Sequence, residues 1–110
     1  MNHDELKKKL RELPEIPRGT IAREGQIIEG NEGGCHYKIT KEAFHFPLVR
    51  GIVYPWVVYS LSVSGPEQGQ KEIIAEFINI LGSPSRKARF EEMPGITFVL
   101  WDANEIEGRL

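Results

Sequence analysis

The chain contains a single cysteine, Cys35, so no disulfide can form within it, and folding does not require an oxidising compartment. A membrane-spanning helix needs about 20 apolar residues, and the longest uncharged run, residues 51–66, is shorter than that. Pro55 also interrupts this run. The N-terminus is polar and lacks the apolar core of a signal peptide. These absences predict a soluble cytoplasmic protein without a membrane partner.

A strong net charge is also missing. The chain has 14 Lys and Arg residues against 16 Asp and Glu residues, which gives a formal charge of −2. This balance offers no overall attraction to nucleic acid or to an anionic membrane, and it leaves room only for a local basic patch. With 40% hydrophobic and 27% charged residues, the chain is predicted to fold as one domain over residues 1–110.

Charge is most scarce in residues 43–66, where Arg50 is the only formally charged residue. The same stretch holds half of the aromatic residues of the chain. Exposed apolar surface on this scale is uncommon in a soluble monomer, so the stretch must be buried in a core or against a partner. It therefore indicates where the fold is anchored.

A short N-terminal helix is predicted over residues 4–13. Its apolar stripe has helical spacing and consists of Leu6, Leu10 and Leu13. Asn2 or Asp4 can cap its first turn, because either side chain can accept a hydrogen bond from the unpaired amides there.

A longer helix is predicted to begin after Ser64, whose spacing from Glu67 is that of a capping box. Gly69 lowers the helix propensity of these first residues, so the stable part of the helix is expected to begin nearer Gln70. Gly82 ends the helix. The wide apolar arc predicted to lie on a sheet consists of Ile73, Ile74, Phe77, Ile78, Ile80 and Leu81. A further short helix is expected over residues 84–92.

Strands are expected over residues 20–29, 35–40, 43–49, 52–54, 56–64 and 96–102. The first two form a hairpin around the glycine-rich turn 30–34. Pro47 restricts its strand to an edge or a bulge, and Pro55 is expected to interrupt pairing. Residues 57–63 alternate cleanly between apolar and polar, which is typical of a half-buried antiparallel strand. Residues 96–101 are apolar on both faces, which predicts a central strand.

These elements predict an α+β fold with a mostly antiparallel sheet of about five strands. One long amphipathic helix packs on the sheet, with a short N-terminal helix and a short helix before the last strand. The last strand is expected to run parallel to the strand before the long helix, through a right-handed crossover. The acidic tail, residues 103–110, is expected to fray.

A catalytic cysteine is the less favoured hypothesis. A nucleophilic thiol needs a base, and neighbouring residues of a strand point to opposite faces, so His36 is badly placed to activate Cys35. His45 can reach Cys35 only if strands 35–40 and 43–49 pair suitably. The possible soft metal ligands are His3, Cys35, His36 and His45. They lack the spacing of a zinc site, so neither a metal nor a cofactor is predicted.

Nucleic-acid binding is the alternative hypothesis. Arg86, Lys87 and Arg89 form a basic cluster that can contact phosphates, with Lys38 and Lys41 as further candidates. Acidic residues follow this cluster directly and weaken its field.

The leading hypothesis is a small intracellular, non-catalytic binding or regulatory domain that acts through protein–protein contacts, self-association included. Its predicted docking surface is an aromatic hairpin with Phe44, Phe46, Arg50, Tyr54 and Trp56. Trp, Tyr and Arg are the residue types richest in interface hot spots. A competing interpretation is that these aromatics belong to a core closed by helix 4–13 on the second face of the sheet. No residue motif ties the chain to a particular family.

Overall fold

The computed structural model describes the backbone of residues 1–47, 53–84 and 90–110, and the side chains of residues 1–44, 56–84 and 94–110. In chain order the elements are α1 (His3–Glu12), β1 (Glu15–Pro17), β2 (Ile28–Glu32), β3 (Cys35–Pro47), β4 (Val53–Ser64), α2 (Glu67–Leu81), β5 (Phe90–Met93), β6 (Ile96–Asp102), α3 (Ala103–Ile106) and a 3₁₀ turn (Glu107–Arg109). Among the described residues, no helix is long and apolar enough to cross a membrane.

The strands form one mixed, mostly antiparallel sheet in the order β1-β3-β4-β6-β5. β2 pairs with β3 along the edge that β1 also uses. The predicted α+β class is confirmed. The predicted parallel crossover is wrong, because β6 runs antiparallel to β4. β5 follows α2 and pairs with β6 across a turn at Pro94 and Gly95, which reverses the chain once more before β6.

The hairpin at the start of the sheet is confirmed, but its first strand is not residues 20–29. β2 begins only at Ile28, which pairs with Ile39, and the chain reverses at Gly33 and Gly34, whose φ angles are +58° and +77°. β2 and β1 together occupy this edge of β3 from Cys35 to Ala43, and residues 18–27 pair with neither the edge nor each other as a strand. Ile21 lies in that loop and is 89% exposed.

β4 runs through Pro55 without interruption, contrary to the expectation. The carbonyl oxygen of Ala43 accepts a hydrogen bond from the amide of Arg18, 3.1 Å away, so Ala43 faces the β1 edge. The backbone N–H and C=O groups of successive residues in a strand point to opposite edges, so those of His45 and the C=O of Pro47 also point away from β4. Pro55 pairs with His45, so its backbone likewise points away from β3. Both prolines therefore occupy positions where β3–β4 pairing needs no N–H group.

The core lies on one face of the sheet, here called the helix face. Its buried strand residues are Cys35, Ile39, Tyr59, Leu61, Val63, Val99 and Trp101. α2 packs there through residues that include Ile73 and Phe77, and α1 packs there through its leucine stripe. The Tyr59 hydroxyl donates to the Leu10 carbonyl oxygen, 3.3 Å away. The interpretation that α1 closes the second face is therefore wrong, because α1 lies beside α2 on the same face.

The opposite side of the sheet is here called the open face. It carries the alternate residues of the three central strands: His36, Lys38, Thr40, Glu42 and Phe44 of β3; Trp56, Val58, Ser60, Ser62 and Ser64 of β4; and Ile96, Phe98, Leu100 and Asp102 of β6. In the part of the chain that the structure describes, the buried residues of α1, α2 and α3 join the helix-face core instead.

The start of α2 differs from the predicted capping box. The helix begins at Glu67 after the N-cap residue Pro66, and no side chain caps it. The Ser64 hydroxyl instead lies 3.5 Å from the carbonyl oxygen of His36, to which it donates. The helix ends at Leu81, and Gly82 follows with φ of +85°, as predicted. Of the short helix predicted over 84–92, residues 85–89 lie outside the described part of the chain, and residues 90–92 belong to β5.

The C-terminal residues are ordered by packing, so the expectation of fraying is wrong. Asp102 caps α3, and Ala103 and Ile106 are buried in the core. The side chain of Arg11 donates to the carbonyl oxygen of Leu110 at 2.6 Å, which ties this segment to α1.

Candidate docking site on the β3–β4 arm

The β3–β4 hairpin extends beyond the strands that flank it. The last pair between β1 and β3 is Pro17 with Ala43, and the last pair between β4 and β6 is Val58 with Asp102. Farther out, residues 44–47 and 53–56 pair with each other and with no other strand of the described chain. We call this two-stranded extension the arm. At about 3.3 Å per residue it projects roughly 15 Å.

Two aromatic side chains lie at the base of the arm. Phe44 and Trp56 are direct cross-strand partners on the open face, and both are partly exposed. Their ring centroids are 5.4 Å apart, with 46° between the ring planes. A pair at this separation contributes about 0.5–1.5 kcal/mol beyond the burial of its area. We call these two residues the aromatic pair.

A cation and an anion flank the aromatic pair. The Arg18 guanidinium carbon lies 4.6 Å from the centroid of the Phe44 ring. The indole Nε1 of Trp56 donates to Asp102 Oδ2 over 3.0 Å, and Asp102 Oδ1 accepts from the Asn104 amide at 2.9 Å. Both rings are thus oriented by groups from outside the hairpin, namely the loop after β1 and the end of β6.

The row of the sheet next to the aromatic pair is tightly packed. Ile16, Glu42, Val58 and Asp102 lie side by side across β1, β3, β4 and β6. Val58 is fully buried, and Ile16 is almost so. The arm therefore extends from a rigid base, which reduces the conformational entropy lost when its aromatic face contacts a partner.

The structure brings two of the five predicted docking residues together, Phe44 and Trp56. The backbone register pairs Phe46 with Tyr54, two positions farther along the arm, and their side chains lie outside the described residues. Arg50 also lies outside them. Their part in docking stays a prediction. The sequence reasoning missed Arg18 and Asp102, because each reaches the aromatic pair only through strand pairing that local patterns do not encode.

The edges of the arm are poorly suited to pairing with an added strand. Pro47 on β3 and Pro55 on β4 occupy outward-facing positions and have no N–H to donate. An added strand would lose a ladder hydrogen bond on either edge. Recognition by strand addition is therefore disfavoured, and the aromatic face is the better docking surface.

The residues of the nucleic-acid hypothesis do not form one described surface. Arg86, Lys87 and Arg89 lie outside the described residues, so that part stays a prediction. Lys38 is exposed on the open face, whereas Lys41 lies on the other side of β3. The Lys41 ammonium lies 3.5 Å from a Glu107 carboxylate oxygen and 3.9 Å from one of Glu15. These two lysines therefore lie on opposite sides of β3, and Lys41 is paired with carboxylates.

Lys41 also lies near a buried tyrosine. Its ammonium is 5.6 Å from the centroid of the Tyr59 ring. Burial raises the pKa of the Tyr59 phenol above its usual 10.0, and the charge of Lys41 opposes part of that rise. Lys41 therefore links β1 and the C-terminal turn beside the core.

Cys35 is placed as a structural residue. It is fully buried, and its Sγ donates to the carbonyl oxygen of Pro66 at 3.3 Å. The pairing that His45 would need to reach Cys35 does not occur, because both lie on the single strand β3, ten residues and about 33 Å apart. His36 points to the open face, where its Nε2 lies 3.3 Å from Glu29 Oε2 and its Nδ1 lies 3.1 Å from Asn31 Oδ1.

Comparisons of this chain with protein-family models, curated proteins and solved structures found no match. In the described ranges, no three His, Cys, Asp or Glu side chains are grouped so that they could hold a metal ion. The functional interpretation therefore rests on the geometry of the arm and of the open face.

Proposed function

We propose that this protein is a small, non-catalytic binding domain that contacts a protein partner through the aromatic face of its β3–β4 arm. The observation that carries the proposal is the aromatic pair, held between Arg18 and Asp102 on a hairpin that extends past its neighbouring strands. Aromatic anchors contribute most to binding when they are large and already oriented.

Three features support docking through this face. The arm projects from a rigid base, so a partner can reach both of its strands. Arg18 offers guanidinium N–H groups beside an aromatic ring, a combination common at interface hot spots. The prolines at the edges direct a partner toward the face of the arm. Phe46, Arg50 and Tyr54 remain predicted members of this docking surface.

We also propose that the protein acts in the cytoplasm. Its one cysteine is a free, buried thiol, which suits a reducing compartment. Expression of a fusion with a fluorescent protein tests this, and secretion of the fusion would contradict it.

Photocrosslinking tests the docking proposal. A photoreactive phenylalanine analogue replaces Phe44 and preserves an aromatic side chain there. The matched control carries the same analogue at Ile21, an exposed loop position away from the arm. In cells we expect a discrete protein adduct from position 44 and none from position 21. Excess unlabelled protein should compete the adduct away, and excess Trp56→Ala protein should not. Equal labelling from both positions would contradict the proposal.

Tryptophan quenching gives an independent readout with the captured partner. Trp101 is fully buried, so quenching by acrylamide reports mainly on Trp56. We expect partner binding to reduce quenching in the wild type and to have no effect in Trp56→Phe, which lacks the reporter. Unchanged quenching of the wild type in the complex would place the interface elsewhere.

A further inference from the structure

Away from the arm, the open face presents an apolar stripe beside a ladder of small polar residues. The stripe consists of Ile96, Phe98 and Leu100 of β6, all partly exposed. Their direct neighbours on β4 are Ser64, Ser62 and Ser60. Short serine side chains between the taller residues of β3 and β6 make a shallow groove with one apolar wall. A flat groove of this kind fits another sheet, because stacked sheets pack about 10 Å apart.

Two charged residues of β3 lie at equal distances on either side of the middle of the open face. Thr40, Ser60 and Leu100 form one row across β3, β4 and β6, which we call the central row. On β3, Lys38 lies two residues to one side of this row and Glu42 two residues to the other side. Lys38 is exposed, and Glu42 is partly exposed. A two-fold rotation about the central row therefore exchanges a positive position with a negative one.

We propose that the open face is a homodimer interface, in which the sheet of a second copy packs face to face about a two-fold axis along the central row. Lys38 then lies over Glu42 of the second copy, and the symmetry produces this ion pair twice. Leu100 meets Leu100 of the second copy at the axis, where both lose contact with water. The inference goes beyond the proposed function, because it uses the sheet rather than the arm.

The charge pattern also selects this axis over the other face-to-face arrangement. A two-fold axis along the strands and centred on β4 would place β3 over β6 of the second copy. Glu42 would then lie over Asp102 of the second copy, and two carboxylates would oppose each other. The axis along the central row avoids this repulsion and gains two attractive contacts.

The open face has the area of a weak dimer interface. β6 lies opposite residues 36–42 of β3, seven residues that span about 23 Å, and the edge strand, β3, β4 and β6 together span about 19 Å. Their product is about 440 Å² for each copy, or about 880 Å² in total, which is in the range of weak, transient complexes. We therefore expect a dimer that dissociates on dilution.

Charge reversal with sedimentation analysis tests the proposal. We expect the wild type to change from monomer to dimer as its concentration rises. Lys38→Glu and Glu42→Lys should each raise the dimer dissociation constant about tenfold or more, because each places like charges opposite one another. The double variant Lys38→Glu/Glu42→Lys restores opposite charges and should return the constant to near the wild-type value. Lys8→Glu, on the exposed surface of α1, makes the same charge change and should leave it unaltered.

Leu100→Lys is a second probe that does not depend on the ion pairs. It brings two lysines together at the axis and should leave only monomer, with a circular dichroism spectrum like that of the wild type. If this variant fails to fold, the charge-reversal series still decides the question.

Three outcomes would overturn the inference. The first is that the protein stays a monomer at every concentration, even if a photoreactive analogue at Phe98 crosslinks it to another protein. The second is a dimer whose dissociation constant is the same in the wild type and in the Lys38, Glu42 and Leu100 variants. The third is a dimer lost only in Phe44→Ser or Trp56→Ala, which would assign self-association to the arm. The photocrosslinking from position 44 is measured separately, so failure of the dimer does not decide the proposed function.

Discussion

Gly69 is the position where helix propensity and tertiary packing predict opposite results. The residue lies in the first turn of α2 and is buried. A Cβ atom added there would lie 2.7 Å from Sγ of Cys35 and 2.7 Å from the carbonyl oxygen of Gly33. Both distances are well inside van der Waals contact, so Gly69→Ala requires the helix or the β2–β3 turn to move.

The size of the effect follows from the two opposing contributions. Alanine in a helix interior is favoured over glycine by about 1 kcal/mol. Overpacking a close contact costs about 1–3 kcal/mol, and we expect the upper part of that range. Cys35 is held by its hydrogen bond to Pro66, and Gly33 belongs to a tight turn at φ of +58°. Gly69→Ala should therefore destabilise the protein by about 1–2 kcal/mol net and lower Tm by about 4–16 °C.

Urea and thermal unfolding followed by circular dichroism measure this effect. The matched control is Gly108→Ala in the C-terminal 3₁₀ turn, where an added Cβ meets no atom within 4 Å. We expect this control to be neutral or slightly stabilising. Cys35→Ala in the Gly69→Ala background should recover only part of the loss, because the Gly33 carbonyl oxygen remains. If Gly69→Ala is as stable as the wild type or more so, the close approach of α2 to the turn is refuted.

Three further predictions concern stability, each measured as a free energy of unfolding in urea. Burial raises the pKa of Tyr37 and of Tyr59 above 10.0, so the unfolded chain ionises first and stability should fall as the pH rises above 10. Tyr59→Phe should reduce that fall, and an unchanged slope would contradict the assignment. Asp102→Ala removes the acceptor of two hydrogen bonds and should cost about 1–3 kcal/mol, more than Asp102→Asn. Trp101→Phe leaves the Gly82 carbonyl oxygen without its 2.7 Å donor and should cost about 1–3 kcal/mol, whereas a neutral result would mean that water replaces the indole.

Elements defined by local periodicity were predictable from the chain. The apolar arc of α2, the leucine stripe of α1 and the alternation of residues 57–63 each reveal which side of an element is buried. The apolar run of β6 correctly indicated an interior strand. Each of these patterns recurs within a few residues, so no distant contact is needed to interpret it.

The candidate site was predictable only in part. The scarcity of charge in residues 43–66 pointed to the aromatic hairpin, and Phe44 and Trp56 do form a cross-strand pair. From the sequence, Pro55 suggests a break in pairing and Pro47 an edge or a bulge, because the effect of a proline depends on whether its strand position faces the paired strand or the outer edge. Arg18 and Asp102 are distant from the pair in sequence and reach it through the flanking strands.

The sequence by itself therefore determined the fold class, the main helix, the central strand and the region that holds the aromatic pair. Each depends on the spacing of apolar residues along one element. Only the tertiary structure decided that α1 and α2 share one face, that β3 separates Cys35 from His45, and that the C-terminal residues pack on the core. These outcomes depend on which strand edge is already occupied and which apolar face is already covered. Neither condition is set by neighbouring residues of the chain.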